Sequence, residues 1–185
     1  MRSSIQPRPG SPRHSLPAIQ PGFTLLELMT TIMVAAVLAA LTIPMYSSYV
    51  RNQRVKTAAY DLVYALTLAR GEALKRNAPV VVEASPDGWQ FGWSVATTGG
   101  SPVTLHSHET PSFLDSNGDP TSYLTFTPAN GNDVTYNGSG RLTAPVATFT
   151  IASTSGSTTE IPPRCVAIEL SGMPRSTSST AGACP

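Results

Sequence analysis

One stretch limits what this chain can become: Gly22 to Val50, GFTLLELMTTIMVAAVLAALTIPMYSSYV. Glu27 carries its single charge, and no residue from Leu28 to Val50 is charged. A helix crosses a bilayer with about 20 apolar residues, so the run is long enough to span. The competing reading is a buried core helix, but helices of that length in soluble proteins usually keep a polar face. Glu27 is the exception inside the run. A carboxylate in hydrocarbon costs about 2.5–3.5 kcal/mol on insertion scales, and such an acid marks a functional position that needs a cationic partner. A cut after Gly22 would create one, because Phe23 would then carry a free ammonium one helical turn from Glu27 or from the Glu27 of a neighbouring copy. Each charge would offset the other's desolvation.

The segment PGFTLLELM resembles the processing signature of type IV prepilins: a basic leader ending in glycine, an aromatic first mature residue and a glutamate four positions later. The resemblance implies that a prepilin peptidase cuts between Gly22 and Phe23 and methylates the new amine. It also implies that Glu27 pairs with the N-terminus of a neighbouring subunit in a filament. Pro44 stands where many pilins carry a proline that loosens the helix, since proline removes a backbone donor and invites a local break. A secretory signal would place a shorter apolar core before its cleavage site. Here the run follows the expected cut and stays in the mature chain. Positive charge alone does not orient the segment, with Arg2, Arg8 and Arg13 before it and Arg51, Arg54 and Lys56 after it. The prepilin resemblance places the leader in the cytoplasm and the rest outside.

Beyond the apolar run, Val55, Ala58, Leu62, Leu66, Ala69 and Ala73 recur at three- and four-residue spacing, which predicts a helix continuing to Asn77. Lys75 and Arg76 suit its negative end, and Pro79 stops it. From there the period changes to two. Val80–Glu83, the turn Ser85-Pro86-Asp87-Gly88, and Trp89, Phe91, Trp93 and Val95 read as a hairpin with its aromatic residues on one face. Further strands are expected at Val103–His106, Tyr123–Phe126, Val134–Tyr136, Val146–Ile151 and Cys165–Leu170, and an exposed loop at Ser153–Thr159. The expected organisation is a leader (1–22), a transmembrane helix (23–50), an amphipathic helix (51–78) and an antiparallel β head (79–185). The fold class is therefore α+β. Without the leader's three arginines, nine basic residues face eleven acidic ones; from Pro79 onward three (Arg141, Arg164, Arg175) face eight. An acidic head argues against a broad phosphate-binding surface. Cys165 and Cys184, an even pair in an exported domain, predict a disulfide.

LARGEALKRNAPVVV (68–82), DGWQFGWSV (87–95), DSNGD (115–119), Phe126 and NGSGR (137–141) resemble, in order, the GspH/FimT-type minor pilins and pseudopilins. That resemblance implies a long helix packed on two antiparallel sheets. The cysteine pair leans toward FimU-like minor pilins. DNA-uptake pilins of the FimT type share a C-terminal Gly-Arg-x-Arg. This chain has Gly172-Met173-Pro174-Arg175, keeping the last arginine and losing the first. A small patch of Arg141, Arg164 and Arg175 is the DNA-binding alternative, against solvated arginines or bridges to the head's acids. Asp115-x-Asn117-x-Asp119 has the spacing of a calcium loop's start but lacks the later glutamate, so it reads as a turn. His106, His108 and Glu109 lack a third ligand at metal spacing and read as surface residues. No nucleophile elbow or positioned His–Asp pair points to an enzyme.

The sequence therefore predicts a minor type IV pilin that helps prime pilus assembly, with no cofactor, metal or small-molecule ligand. Its expected partners are other major and minor pilins, the prepilin peptidase and the inner-membrane assembly platform, and it would leave the inner membrane for the pilus. The alternatives are a FimT-type DNA receptor and a GspH-type pseudopilin of a type II secretion system.

Overall fold

The computed structural model describes residues 22–114, 120–128, 133–144, 148–179 and 184. The chain divides after Leu41 into an N-terminal unit and a unit that carries the head. One helix, α1 (Leu25–Arg76, 52 residues), supplies both.

In the N-terminal unit α1 is apolar on all sides and exposed on all sides. Phe23 is 88% exposed and Leu25 76%, and Leu28, Ile32 and Leu38 are likewise open. The two threonines in this stretch satisfy themselves: Thr30 Oγ1 donates to the carbonyl of Glu27 (2.9 Å) and Thr31 Oγ1 to that of Leu28 (2.8 Å). Polar residues can thus sit in an apolar run without orphaned hydroxyls.

In the second unit α1 becomes amphipathic. Val55, Ala58, Ala59, Leu62, Ala65, Leu66, Ala69 and Ala73 are buried as one stripe. Five of these eight are alanines, which lets sheet side chains approach the helix axis closely. The helix stops one residue earlier than expected, at Arg76. Asn77 adopts φ 48°, its N–H bonds the carbonyl of Leu74 (3.4 Å), and Ala78 N–H bonds that of Ala73 (3.3 Å). This pair of bonds closes a helix with a left-handed residue, and Pro79 follows it.

The head comprises β1 (Val80–Ala84), β2 (Gly92–Thr97), β3 (Thr104–Glu109), β4 (Ser112–Leu114), β5 (Pro120–Ser122), β6 (Leu124–Pro128), β7 (Val134–Tyr136), β8 (Thr148–Ser153), β9 (Arg164–Ile168) and β10 (Pro174–Ser178). One antiparallel sheet runs β3-β2-β1-β7, a second β10-β9-β8-β6, and β4 and β5 form a small pair. The hairpin β1–β2 registers Val80 with Thr97 and Ala84 with Trp93. The turn at Ser85–Gly88 is present, its N–H of Gly88 bonding Ser85 O at 2.8 Å. The aromatic alternation is not continuous, however. Trp89–Phe91 form a short 3-10 turn, and β2 starts only at Gly92 (φ 134°), so Trp93 and Val95 alone alternate as strand residues. The physical reason is the pair of glycines at 88 and 92, whose positive φ values wind the intervening residues out of the strand.

The two large sheets meet through aromatic rings. Trp89 packs on Phe149 of β8 (4.8 Å), Trp93 on Phe126 of β6 (5.7 Å), and the two tryptophans face each other at 6.3 Å. Tyr136 of β7 is wholly buried, and its hydroxyl has no hydrogen-bond partner. Burial raises the Tyr136 phenol far above its ordinary value, with the charge of Arg70 opposing weakly.

The unfolded chain ionises this phenol near pH 10, whereas the folded chain keeps it neutral. Its contribution to stability is therefore complete below about pH 10 and declines as pH rises above that value. Tyr136→Phe should leave urea-unfolding stability at pH 7 within about 1 kcal/mol of wild type, since an unpartnered hydroxyl adds little. It should also make the alkaline decline shallower. Identical alkaline declines in the two proteins would contradict this.

Candidate functional site

The expected processing site lies at the start of α1. Gly22 has open space around it and Phe23 is exposed. Thr24 caps the helix: its Oγ1 accepts from the N–H of Glu27 at 3.2 Å, and its carbonyl accepts from Leu28 N–H at 3.1 Å. Thr24-x-x-Glu27 thus has the spacing of a capping box. The Thr-x-x-Glu spacing is a local signal that can be read in the sequence itself. Glu27 sits in the first turn, where the helix dipole favours negative charge, and is exposed in the isolated chain. Pro44 falls within α1, which is continuous through it. It has no N–H to give to the Ala40 carbonyl four residues earlier.

Cys165 and Cys184 form a disulfide. Cys165 is buried in β9, so the bond ties the chain's end to the middle of the second sheet.

The three arginines of the DNA-binding alternative are scattered. In the β9–β10 ladder Arg164 opposes Ser178, and Arg175 opposes Ala167. Strand alternation therefore puts Arg164 on the face of Val166 and Ile168, toward the core, and Arg175 on the outer face. Arg164 Nε is buried without a partner, while Arg175 Nε pairs with Glu169 at 2.9 Å. Arg141 is exposed at the end of the Asn137–Arg141 loop, which is pinned by Asn137 Oδ1 accepting from the N–H groups of Ser139 and Arg141 (3.0 Å each).

That loop has another role. Arg70 Nε donates to the carbonyl of Gly140 at 3.1 Å, and Arg70 Nη1 lies 3.6 Å from Met173 Sδ. Gly172 (φ 82°) approaches Gly140 so closely that a Cβ there would strike the Gly140 carbonyl. The NGSGR and GMPR motifs thus meet at one corner, held by a helix arginine, and glycine is required by the fit.

His106 and His108 are not simple surface residues, which corrects the sequence reading. Both are half-buried against α1. His106 packs edge-on to Tyr64 (5.6 Å); His108 stacks on Trp93 (4.4 Å), with Nε2 3.9 Å from Asp61 Oδ2. Nothing in the local sequence of β3 signalled Asp61 as the partner. Among the described residues no group of three His, Cys, Asp or Glu could hold a metal. Asp115, Asn117 and Asp119 lie outside the described residues. Two cavities flank α1, of about 590 Å³ beside Asp61, His108 and Thr110, and of about 330 Å³ beside Arg51, Arg54 and Ser155. Arg54 lies over the ring of Tyr123 between them, 4.3 Å from its centroid.

The family model for the type II transport protein GspH matches residues 58–172. A fimbrial protein of Pseudomonas aeruginosa is 38% identical over 72 residues, 39% of this chain and 46% of the relative, so the match spans less than half of that protein's length. The crystal structure of the type IV minor pilin FimU of Pseudomonas aeruginosa has TM-score 0.54 at 22% identity, covering 72% of this chain and 93% of that one. The minor pseudopilin EpsH of the type 2 secretion system of Vibrio cholerae gives TM-score 0.46 at 15% identity, covering 68% of this chain and 97% of that one. The FimU likeness establishes the fold: a long helix on two antiparallel sheets.

Removing the disulfide should loosen the end of this fold. Closing a loop of 19 residues stabilises by roughly 3 kcal/mol in the chain-entropy model. Cys184→Ser should lower unfolding stability by about that amount, measured by urea titration of the non-reduced proteins. Equal midpoints would show the tether to be energetically idle.

Proposed function

We propose, since the chain belongs to the family of the type II transport protein GspH, that it is a minor pilin inserted into a type IV pilus and acting in the priming of its assembly. The observation that carries this reading is the bare apolar surface of residues 23–40. No described residue covers it, and a span and a filament core are the two environments that would. In this account the prepilin peptidase removes residues 1–22 and methylates the amine of Phe23. The helix then holds the protein in the bacterial inner membrane with the head in the periplasm. The assembly platform next moves the subunit into a bundle with other major and minor pilins, and the head reaches the cell exterior.

Affinity in that bundle comes from apolar burial, and position from one ion pair, Glu27 with a neighbour's N-terminus. Thr24 supports the arrangement by capping the turn that carries Glu27. Pro44 gives the helix a place to loosen during transfer. The head carries recognition among minor pilins. The scatter of Arg141, Arg164 and Arg175 gives no support to the DNA-receptor alternative.

One observation favours a second reading: the matching family model carries the description of a type II transport protein. The same helix and head would serve a pseudopilin in a secretion machine, and the neighbouring genes discriminate between the two.

Breaking a buried pair by deleting one partner costs about 3–5 kcal/mol. Glu27→Ala should therefore reduce this subunit in sheared filaments by roughly tenfold or more, with the membrane pool unchanged, on quantitative immunoblots. Wild-type incorporation of the variant would contradict the role given to Glu27.

A further inference from the structure

The cavity of about 330 Å³ where α1 meets the start of the loop after β8 has an unusual charge composition. Arg51 and Arg54 line it, and no carboxylate does, although the head is acidic. Neither guanidinium has a carboxylate partner among the described residues, and Arg51 Nε is buried with no hydrogen-bond partner at all. The rest of Arg51 is held in place, with Nη2 3.4 Å from Ser48 Oγ. Arg54 is positioned by its stack on Tyr123.

Two other polar side chains in the wall are already engaged. Ser153 Oγ donates to the carbonyl of Ser155 (2.8 Å) and accepts from its N–H (3.3 Å), and Thr154 Oγ1 donates to the carbonyl of Tyr123 (3.2 Å). The buried, unanswered donor of this wall, Arg51 Nε, is therefore cationic. Two preorganised guanidiniums without a counter-ion form a site for a phosphate-like anion.

The sequence says which anion is at hand. Arg51 is the first charge after the uncharged run 28–50. It therefore comes where apolar side chains give way to charged ones, at the level of lipid headgroups if the run spans the bilayer. Tyr46 and Tyr49, both exposed, stand just before it, and Tyr123 shares the cavity wall. Tyrosine rings favour the headgroup layer. We propose that Arg51 and Arg54 bind the phosphate of an anionic phospholipid headgroup and so fix the foot of the head to the membrane surface before assembly. This rests on the reading of residues 23–50 as a membrane span.

The test uses the full-length chain in neutral-detergent micelles with added phosphatidylglycerol, read by native mass spectrometry. A one-to-one lipid adduct is expected. A basic residue near an anionic surface contributes about a factor of five, so R51Q/R54Q should weaken the adduct about thirtyfold. K56Q removes a charge outside the cavity wall and should leave the adduct near wild type. Circular dichroism should show the double variant folded, and a singly substituted R54Q, expected to lose about fivefold, serves if it is not. An adduct unchanged in the substituted proteins would overturn the proposal, as would an equal loss in K56Q. Displacement of the lipid by millimolar inorganic phosphate would show a site for the free ion and would equally overturn it. So would the absence of any adduct; loss of R51Q/R54Q from filaments would then assign the arginines to a neighbouring subunit. Alkaline carbonate extraction separates this from failure of the span itself: the span reading requires wild type and R51Q/R54Q both to stay with the membrane pellet, whatever the adduct does.

Discussion

The apolar surface that α1 presents before residue 41 is the constraint on everything else. Leu25, Leu26, Leu28, Met29, Ile32 and Met33 are all open. Fully burying side chains of this size is worth about 1.5–3 kcal/mol each, so these six alone represent roughly 9–18 kcal/mol. That equals the whole stability of an ordinary domain, about 5–15 kcal/mol. The described residues offer no cover, and a bilayer or a bundle of helices would. Against this driving force the cost of one carboxylate, about 2.5–3.5 kcal/mol, is small. Glu27 can therefore be carried in the segment without defeating insertion.

The same helix changes character without a break in the chain. Before residue 41 it is apolar all round; from Val55 to Ala73 it shows one apolar stripe and solvated flanks. Trp89, Trp93, Phe126 and Phe149 close the core between the two sheets, and the stripe packs into the same core. The ends are secured by local means: a threonine cap at Thr24, a left-handed asparagine at Asn77, an arginine clamp at Arg70 and a disulfide at Cys184. The head is thus a frame built around the helix's second half.

Much of this was legible in the residues because period carries directly into burial. Each of Val55, Ala58, Leu62, Leu66, Ala69 and Ala73 is in the core, and the turn at Ser85–Gly88 is where Pro and Gly placed it. What escaped had no periodic signature. β10, PRSTS, has no apolar alternation and begins with proline; it is a strand because it pairs with β9 at the edge of the sheet, where a proline and hydroxyl residues are tolerated. The division of Arg164 and Arg175 between two faces depends on a register that only the ladder reveals. The contacts of His108 with Asp61 and of Arg54 with Tyr123 join residues 47 and 69 positions apart, beyond the reach of any local pattern. The cap at Thr24 is readable from its Thr-x-x-Glu spacing.

The central claim is that the lone acid of the apolar segment is matched by an amine freed at Phe23. Intact-mass and N-terminal peptide mass spectrometry of the protein isolated from its native cells tests this most directly. The account predicts a mature chain beginning at Phe23 with its amine methylated. A chain beginning at Met1, or at any residue other than Phe23, would contradict it.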